Sequence, residues 1–574
     1  MRDDAARLNS VGQQRALAGD AAGALAAFAG AAALAPDDAD AVANHALALL
    51  RAGDPLAAIA RAEAALALAP DHAVAAANLG HALLAAGQAQ AAADRFAAVL
   101  ARHPGHADAL VGMAMAQRTM GRIGSALVAI DRAVALAPGS ESALGNRGIL
   151  LLDAADPAGA IAAAIAAAGV APASLGHAMN AFMAMSYDIA LDPMVAAQAT
   201  CDWGARLTAG TPRLPLPPRP PGRPLRVGYL SADLCRHPVA WLGARAMLHH
   251  DPDRLMPLVY ATAHSDDDVA RAFRSGVALW RDCTSLADAD IARQIAADRI
   301  DILVDLAGHT AGGRPGVLAM QPAPRIVSWL GHVATTGLPT VAAVLMDEWH
   351  APPGSEALFA EKLLRLPGGR FAYTPPAEAP EPARQPGGPV TFGCFQALAK
   401  LNPDVASLWV QAMDHVPGSR LLIKRRGLAD PWLRGRITAM FAEAGLDPVR
   451  LVLEPESNHA RLLADYGRID VALDPFPFCG GASTAEALWM GVPVVTLPGR
   501  APGSRQSCAM LSAIGETATV AASPDDHAAA VQRALALGDS RKQRRERLAA
   551  SPLGSTVRLA AALDAALIGL ADGG

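Results

Sequence analysis

A spacing of 34 residues governs the first third of the chain. Two residue types mark this spacing: proline at Pro36, Pro70, Pro104, Pro138 and Pro172, and glycine at Gly19, Gly53, Gly87 and Gly121, with Ala155 in the next glycine position. The intervals between the marks are rich in alanine, which lets helices approach closely. Each interval holds two helices that meet at the glycine, and such a unit buries its apolar face only against its neighbours. The spacing therefore predicts an α-solenoid over residues 3–172.

This array resembles the tetratricopeptide repeat, which has the same period of 34 residues. Asn44, Asn78 and Asn146 occupy equivalent positions in the first helices of their repeats, and Gly112 interrupts the series. Such arrays commonly bind partners on their concave surface. We predict that the three amides bind an extended protein or peptide acceptor through its backbone. The alternative is a helical spacer that binds nothing.

A proline-rich segment separates the repeats from the rest of the chain. Residues 173–210 have a helical pattern, and the segment TPRLPLPPRPPGRP at 211–224 contains seven prolines. Proline in this number excludes a helix or a central strand and favours an extended, stiff connector. Residues 173–224 are therefore predicted to be a helical region followed by a linker.

From residue 225 onward, short apolar runs alternate with helical stretches. The runs fall into two series, first LRVGYLS, PLVYATA, IDILVDLAG, RIVSWLG and AAVLMDE, then VTFGCF, RLLIKRR, RLVLEP, IDVALDP and PVVTLPG. This alternation is typical of parallel sheets covered by helices on both faces. It predicts two Rossmann-like halves, residues 225–378 and 389–572, with ligands at the carboxyl ends of the strands. The predicted fold class is an α-solenoid followed by this two-part α/β region.

The second half contains a glycine-rich turn within LDPFPFCGGASTAEALWMGVPVVTLPG, residues 473–499. A helix that starts after Gly480 and Gly481 would point free N–H groups at an anion, and the glycines would let a phosphate approach the backbone. Glu486 is placed in the first turn, where its carboxylate would accept ribose hydroxyls. The alternative is a tight turn in which Ser483 caps the helix. The chain has neither G-x-G-x-x-G nor the P-loop motif, which disfavours those two nucleotide-binding modes.

Charge and cysteine content limit the partners and the compartment. The net charge of −5 and the pI of about 6.3 disfavour general affinity for nucleic acid or membranes. The six cysteines form no C-x-x-C pair, so we expect no disulfide framework and no zinc site, and a reducing, cytoplasmic location. The start of the chain, MRDDAARLNS, lacks the apolar core of a signal peptide. The alanine-rich run at 158–174 contains Pro172 and is predicted to be a packed helix.

A cluster of carboxylates, Asp266, Asp267 and Asp268 in HSDDDVARAF, has two possible roles. It resembles the metal-binding cluster of metal-dependent glycosyltransferases. Aspartate is also frequent at helix starts, and a helical pattern follows directly. We therefore predict a helix cap here and no metal site.

The order of these parts is similar to that of the O-linked N-acetylglucosamine transferase family, in its bacterial and SPINDLY branches. The resemblance rests on LRVGYLSADLCRHPVAWL, FGCFQALAKLNPDVASLW, VPGSRLLIK and the long segment at 473–499. It implies an inverting glycosyltransferase of GT-B fold that needs neither a metal nor a cofactor. The implied donor is UDP-GlcNAc, and the implied acceptor is a Ser or Thr hydroxyl of a protein.

The resemblance also implies roles for particular residues. His237 would line the sugar site, either as general base or as a positioning group, and Lys400 would offset charge on the departing diphosphate. Solvated surface Lys and a capping His are the alternatives. His332 falls beside the donor sugar. The implied donor contacts are Gln396, Gly480, Gly481, Ser483, Thr484, Glu486, His309, Gly331 and His459.

Several positions depart from the family pattern. Ala482 lacks a hydroxyl, Ala397 stands where an amide is usual, and Leu462 occupies the position of a nucleotide-side histidine. His459 lies one helical turn before Leu462 and is a candidate replacement. These departures leave two alternatives: another donor, UDP-glucose or GDP-fucose, or a repeat scaffold with an inactive transferase half.

Overall fold

The computed structural model describes residues 2–17, 20–218, 222–385 and 387–573. The chain divides into two compact units. Unit 1 consists of Met1–Ala154, Ala162–Ala173 and Ala429–Leu433. Unit 2 consists of Ala155–Ile161, Ser174–Leu428 and Arg434–Gly574.

Paired helices form the repeat region, as the spacing predicts. They are α1 (Arg2–Leu17), α2 (Ala21–Leu34), α3 (Ala39–Arg51), α4 (Pro55–Leu68), α5 (Ala73–Ala85), α6 (Ala89–Arg102), α7 (Ala107–Thr119), α8 (Ile123–Leu136), α9 (Glu141–Asp153) and α10 (Pro157–Val170). Gly53, Gly87 and Gly121 end the first helix of each pair with φ of 82°, 79° and 76°, a conformation that glycine adopts without strain. Ala155 adopts the same turn with φ of 58°, and Gly19 lies outside the described residues.

Gly112 interrupts the asparagine series for a steric reason. A Cβ atom at Gly112 would lie 2.2 Å from Cζ of Phe96. The Phe96 ring is fully buried between α5 and α7. A side chain as large as asparagine at residue 112 would displace this ring from the core.

Two further helices and an extended segment precede the α/β region. The helices are α11 (Leu175–Met185) and α12 (Pro193–Ala209). Residues 212–218 form neither helix nor strand, which confirms the expectation from proline content as far as residue 218. Residues 219–221 of the predicted linker lie outside the described part of the chain.

The first sheet is entirely parallel and has the strand order β3-β2-β1-β4-β5-β6-β7. The strands are β1 (Leu225–Ser231), β2 (Leu255–Ala261), β3 (Leu279–Asp282), β4 (Ile302–Asp305), β5 (Arg325–Ser328), β6 (Ala343–Met346) and β7 (Lys362–Arg365). Helices α13 (Pro238–Leu242), α14 (Asp268–Gly276), α15 (Asp288–Ala297) and α16 (Pro315–Ala319) follow strands of this sheet. The order changes direction between β1 and β4.

The second sheet is also parallel, with the order β10-β9-β8-β11-β12. Its strands are β8 (Thr391–Cys394), β9 (Arg420–Lys424), β10 (Leu451–Glu454), β11 (Val471–Leu473) and β12 (Val494–Val495). The accompanying helices are α17 (Pro403–Asp414), α18 (Pro431–Glu443), α19 (His459–Asp465), α20 (Ala482–Trp489), α21 (Gln506–Ala513), α22 (His527–Ala536), α23 (Arg541–Ala550) and α24 (Thr556–Ala571). Here the order changes direction between β8 and β11.

The structure confirms the predicted fold class of helical repeats followed by two parallel-sheet halves. All ten apolar runs identified in the sequence contain strands. The edge strands β3 and β7 have no continuous apolar run, since LWRD and KLLR carry charged residues and are only partly buried. No helix in the described ranges has both the length and the apolar character that a bilayer span requires.

Candidate active site

The candidate site residues follow the strands at which each sheet changes direction. His237 follows β1 and His309 follows β4 in the first sheet, whereas Lys400 follows β8 and Gly480 follows β11 in the second. Ligands of parallel α/β sheets bind at such switch points, outside the carboxyl ends of the strands. Both halves therefore place these four residues at the edge of the sheet where ligands of this fold class bind.

Helix α13 brings the two sets of residues together. Cδ1 of Leu242 lies 3.5 Å from the position of a Cβ atom at Gly481. The Trp241 ring lies 6.1 Å from the His459 ring, measured between centroids. The segment that begins at His237 thus contacts the glycine-rich turn and the start of α19.

Lys400 is buried and points into the glycine-rich turn. Its ammonium Nζ donates to Oε1 of Gln396 at 2.9 Å and to the carbonyl of Cys479 at 2.8 Å, and it lies 5.0 Å from the ring centroid of Phe478. Only 8% of Lys400 is exposed, so the alternative of a solvated surface lysine is wrong. Burial lowers its pKa, which nearby Asp474 counteracts. Of the three protons on Nζ, the described residues accept two, and one remains for an anionic ligand.

Gly480 permits a contact that a side chain would block. Its N–H donates to Oδ1 of Asp474 at 2.7 Å. A Cβ atom there would lie 2.1 Å from Oγ1 of Thr484 and 2.9 Å from Nε2 of Gln396. The backbone at Gly480 must therefore be bare for the turn to close on Asp474 and Gln396.

Helix α20 starts at Ala482, directly after the paired glycines. The expectation that Glu486 lies in the first turn is wrong, because the helix starts at Ala482 and Glu486 is its fifth residue. Ser483 does not cap the helix either, since the N-cap position belongs to Gly481. The helix begins there because the amides of Thr484 and Ala485 donate to the carbonyl of Gly481.

Hydrogen bonds from neighbouring segments hold the remaining residues of the turn. Oγ1 of Thr484 hydrogen-bonds Oγ of Ser507 at 2.7 Å. The hydroxyl of Tyr466 donates to the carbonyl of Ser483 at 2.9 Å. Gly481, Ala482 and Ser483 stay partly exposed, so this segment is accessible to a ligand.

His459 and Glu486 form a pair across the site. Nε2 of His459 lies 2.8 Å from Oε1 of Glu486. This hydrogen bond raises the pKa of His459, while partial burial opposes it. Leu462 points into the apolar core, so His459 is the imidazole that this half presents beside Glu486.

The first half presents buried, neutral imidazoles. Nε2 of His309 lies 2.9 Å from the carbonyl of Thr336 and must carry the proton, which leaves Nδ1 as an unpartnered acceptor. Burial lowers the pKa of His309 to about 4 and that of His332 to about 3. Their rings lie 5.3 Å apart. Gly331 is tightly packed, since a Cβ atom would lie 2.2 Å from the carbonyl oxygen of Leu306.

His237 starts α13 and is half-buried. Its Nδ1 lies 3.4 Å from the N–H of Val239, in the geometry of a helix cap, and 3.6 Å from Oδ1 of Asp233. Burial lowers the pKa of His237, and the charge of Asp233 opposes that shift. The Val239 contact is the one that the capping alternative expects, and the predicted role of His237 at the sugar site stays a prediction.

The three repeat asparagines already donate within the array. Nδ2 of Asn44 donates to Oδ1 of Asn9 at 3.0 Å, and that of Asn146 to the carbonyl of Ser142 at 2.9 Å. Asn78 is buried and donates to the carbonyl of Ala43 at 3.0 Å. Asn78 also lines a groove together with His81, Asp108 and apolar side chains of α3 and α5.

Among the aspartates at 266–268, Asp267 forms the predicted helix cap. Oδ1 of Asp267 accepts the N–H of Ala270 as the cap of α14. Asp268 pairs with Arg236, and Asp266 pairs with Arg274. Across the ranges that the structure describes, no three His, Cys, Asp or Glu side chains are grouped as metal ligands.

Sequence reasoning missed Asp474, although it lies in the segment IDVALDP. Its side chain is 1% exposed and accepts from Gly480, Gln396 and Thr496. An acidic residue directly after a buried strand, six and seven residues before the paired glycines, was the available signal. Its partner Gln396 comes from another strand, which no local pattern reveals.

These features define an α/β protein with two parallel-sheet halves and a glycine-rich turn beside a buried lysine in the second half. The model of glycosyl transferase family 41 matches residues 217–373 and 381–554, and a tetratricopeptide repeat model matches residues 83–146. The chain therefore belongs to glycosyl transferase family 41. This finding confirms the resemblance seen in the sequence.

Individual relatives agree with that assignment. Proteins of Solanum lycopersicum and Arabidopsis thaliana, both named probable UDP-N-acetylglucosamine–peptide N-acetylglucosaminyltransferase SPINDLY, are 34% identical over 67% and 69% of this chain. The matches span only 42% and 45% of those relatives' own lengths. A mutant of the Thermobaculum terrenum O-GlcNAc transferase matches with a TM-score of 0.78 and 29% identity, over 93% of this chain and 97% of that one.

Proposed function

We propose that the protein transfers GlcNAc from UDP-GlcNAc to Ser or Thr hydroxyls of proteins, with inversion and without a metal. The observation that carries this proposal is the buried Lys400 ammonium, which faces the glycine-rich turn with one N–H left over. The names of the relatives supply the donor and the class of acceptor.

The reaction needs a cation where the diphosphate leaves. The bond between C1 of the sugar and the β-phosphate oxygen breaks, a bond from C1 to the acceptor oxygen forms on the opposite face, and the acceptor proton departs. Negative charge grows on the β-phosphate during this step. The Lys400 ammonium, held in a site with little water, stabilises that charge and supplies what a metal ion supplies elsewhere.

The first half suits the uncharged parts of the reaction. Nδ1 of His309 is a buried acceptor without a partner among the described residues, and a sugar hydroxyl can donate to it. A proton on Nδ1 of His237 directed at Asp233 would leave Nε2 as the base for the acceptor hydroxyl. If Nδ1 instead accepts from Val239, His237 only positions the substrate.

The nucleoside would bind beside the His459–Glu486 pair. One carboxylate oxygen of Glu486 accepts from His459, and the other is available for the ribose hydroxyls. The glycine-rich turn would then bind the diphosphate through Gly481, Ser483 and Thr484.

The departures from the family pattern keep other donors open. Leu462 offers the nucleoside no polar atom because it lies in the core, and Ala482 offers no hydroxyl. UDP-glucose and GDP-fucose are the alternatives, and the inactive-scaffold alternative predicts that no donor is turned over. A cytoplasmic location, an acceptor site in the repeats and the absence of nucleic-acid and membrane partners stay predictions.

A donor panel tests the proposal. Purified protein is incubated with EDTA, a library of Ser/Thr peptides and, in turn, UDP-GlcNAc, UDP-glucose, UDP-GalNAc or GDP-fucose, and peptide mass is measured. We expect a mass increase of one N-acetylhexosamine with UDP-GlcNAc, and none with the variant Lys400→Ala. A gain of one hexose or one deoxyhexose would show that the donor is UDP-glucose or GDP-fucose instead. No mass gain with any donor would favour the alternative of a repeat scaffold with an inactive transferase half.

A further inference from the structure

Asp474 is a buried carboxylate to which the proposed reaction assigns no role. It follows β11, and its carboxylate accepts three hydrogen bonds. Oδ1 accepts from Nε2 of Gln396 and from the N–H of Gly480, each at 2.7 Å, and Oδ2 accepts from Oγ1 of Thr496 at 2.6 Å. None of these donors is a cation, although a buried anion normally has one nearby.

The side chain of Gln396 separates Asp474 from a cation, the Lys400 ammonium. Gln396 lies between the two charges: its amide nitrogen donates to Asp474, and its amide oxygen accepts from Lys400. This orientation of the amide is fixed, because a carboxylate only accepts and an ammonium only donates. The result is a chain of carboxylate, amide and ammonium, in which the amide dipole is aligned with both charges.

We propose that Asp474 is a positioning residue that keeps Lys400 protonated and aimed at the donor diphosphate, acting through the Gln396 amide. The proposal rests on the proposed function, since it assumes that Lys400 meets a diphosphate. The same carboxylate holds the N–H of Gly480, so it aligns the cation and the turn that flank one ligand.

Electrostatics favours this role over simple packing. Desolvation lowers the pKa of the Lys400 ammonium, and the charge of Asp474 is the first factor that opposes the shift. The other titratable groups that influence Lys400 are Cys479, Cys394 and Arg425. Burial raises the pKa of both thiols to about 12, so they are neutral at physiological pH, and Arg425 lowers the pKa of Lys400. Among these four groups, Asp474 is the only carboxylate, and it is the first factor that favours the protonated lysine.

The substitution Asp474→Asn separates charge from shape. The asparagine oxygen can still accept from Gln396 and Gly480, and its nitrogen can donate to the Thr496 hydroxyl. The hydrogen bonds therefore survive while the charge is removed. Without that charge the ammonium should lose its proton at a lower pH, and a neutral lysine does not stabilise a diphosphate.

UDP affinity is measured by calorimetry at pH 7 and pH 9 for the wild type, Asp474→Asn, Lys400→Ala and the double variant. We expect the affinity of Asp474→Asn to fall at least tenfold more between the two pH values than that of the wild type. We expect the double variant to show the same pH dependence as Lys400→Ala, because the effect acts through the lysine. Thr496→Val removes one contact and keeps the charge, so it should retain the wild-type pH dependence.

Several outcomes decide the matter. The proposal would be overturned if the UDP affinity of Asp474→Asn showed the pH dependence of the wild type. It would also be overturned if the double variant lost as much extra affinity at pH 9 as Asp474→Asn does. If Asp474→Asn does not fold, Gln396→Met cuts the bridge and keeps the volume, and it must show the extra loss at pH 9 for the proposal to stand. A wild type that does not bind UDP at either pH would instead remove the proposed function.

Discussion

The two halves of the α/β region present opposite chemistry at the same place in their sheets. The first half has His309 after β4 at its switch point and His332 after β5, buried imidazoles whose pKa values lie at about 4 and about 3. The second half has Lys400, linked to Asp474 through the Gln396 amide, and His459, whose pKa is raised by its hydrogen bond to Glu486. One topology thus carries a neutral site and an ionic site.

The difference separates two tasks. A diphosphate requires a cation and bare backbone N–H groups, which the second half supplies at Lys400 and the glycine-rich turn. A sugar and a hydroxyl nucleophile require hydrogen bonds without strong fields, which neutral imidazoles provide. We infer that the nucleotide belongs to the second half and that sugar and acceptor face the first.

Removal of the Lys400 ammonium should have the largest effect on activity among these tests. Lys400→Ala should lower kcat by about 100- to 1,000-fold, because the charge that it meets is greatest in the transition state. Its Tm should change much less than its kcat. Lys362→Ala, at an exposed position of β7, is the control and should behave as the wild type. A normal kcat for Lys400→Ala would exclude the ionic role of the second half.

Acid should destabilise the first half through its neutral imidazoles. The folded-state pKa of His332, about 3, lies below the ordinary value of 6.5, so its contribution to stability is complete above pH 6.5 and is lost as pH falls towards 3. By pH 4 the loss is roughly 3 kcal/mol. Urea unfolding at pH 7 and pH 4 should show that His332→Phe loses less stability than the wild type by about that amount. Equal losses would mean that His332 is not held neutral.

Two neighbouring glycines of the second half should respond differently to a methyl group. Gly480→Ala places a Cβ atom 2.1 Å from Oγ1 of Thr484, whereas the nearest atom to a Cβ at Gly481 lies at 3.4 Å. We expect Gly480→Ala to destabilise the protein by about 1–3 kcal/mol. Gly481→Ala should keep a Tm close to that of the wild type in thermal unfolding. Similar Tm values for both variants would contradict the described turn.

Substitution of the repeat asparagines tests whether acceptor binding depends on the repeats and donor binding does not. Asn44→Ala with Asn146→Ala spares the buried Asn78 and should lower kcat/KM for a protein acceptor by about five- to 150-fold, from roughly 0.5–1.5 kcal/mol for each of the two amides. UDP affinity should not change. An equal loss of UDP affinity would mean that the repeats support the transferase, and unchanged acceptor kinetics would place the acceptor elsewhere.

The His459–Glu486 pair should show a smaller pH effect of opposite sign. The pKa of His459 is raised by Glu486, so its contribution is complete below pH 6.5 and is lost as pH rises through the folded-state value. Between pH 6.5 and pH 8, His459→Gln should lose less stability than the wild type in urea unfolding. A variant that loses as much as the wild type would show that the pair is not ionic.

The sequence predicted the helical repeats and most of the strands, because both follow from a local pattern of residues. The 34-residue period located the repeats, and the apolar runs located every strand except β3 and β7, whose edge positions leave them partly exposed and charged. The family resemblance singled out His237 and Lys400, which follow β1 and β8 in the structure. The prediction that Glu486 lies in the first turn of α20 was wrong, because the helix starts at the carbonyl of Gly481 and no side chain signals that start.

Contacts between distant segments could not be predicted. Gln396 and Asp474 are 78 residues apart, and only the pairing of β8 with β11 brings them together. In the same way, Phe96 explains Gly112 only once α5, α6 and α7 are packed. A single sequence shows which residues are unusual, whereas the packing of the strands and helices shows which of them meet.

The central claim is that the second half binds a nucleoside diphosphate through Lys400 without a metal. Calorimetric titration of UDP into the full chain in EDTA tests it directly, with Lys400→Ala as the comparison. The account predicts a clear binding isotherm for the wild type and at least tenfold weaker binding for the variant. Binding that requires added magnesium or manganese, or equal affinity in the two proteins, would contradict it.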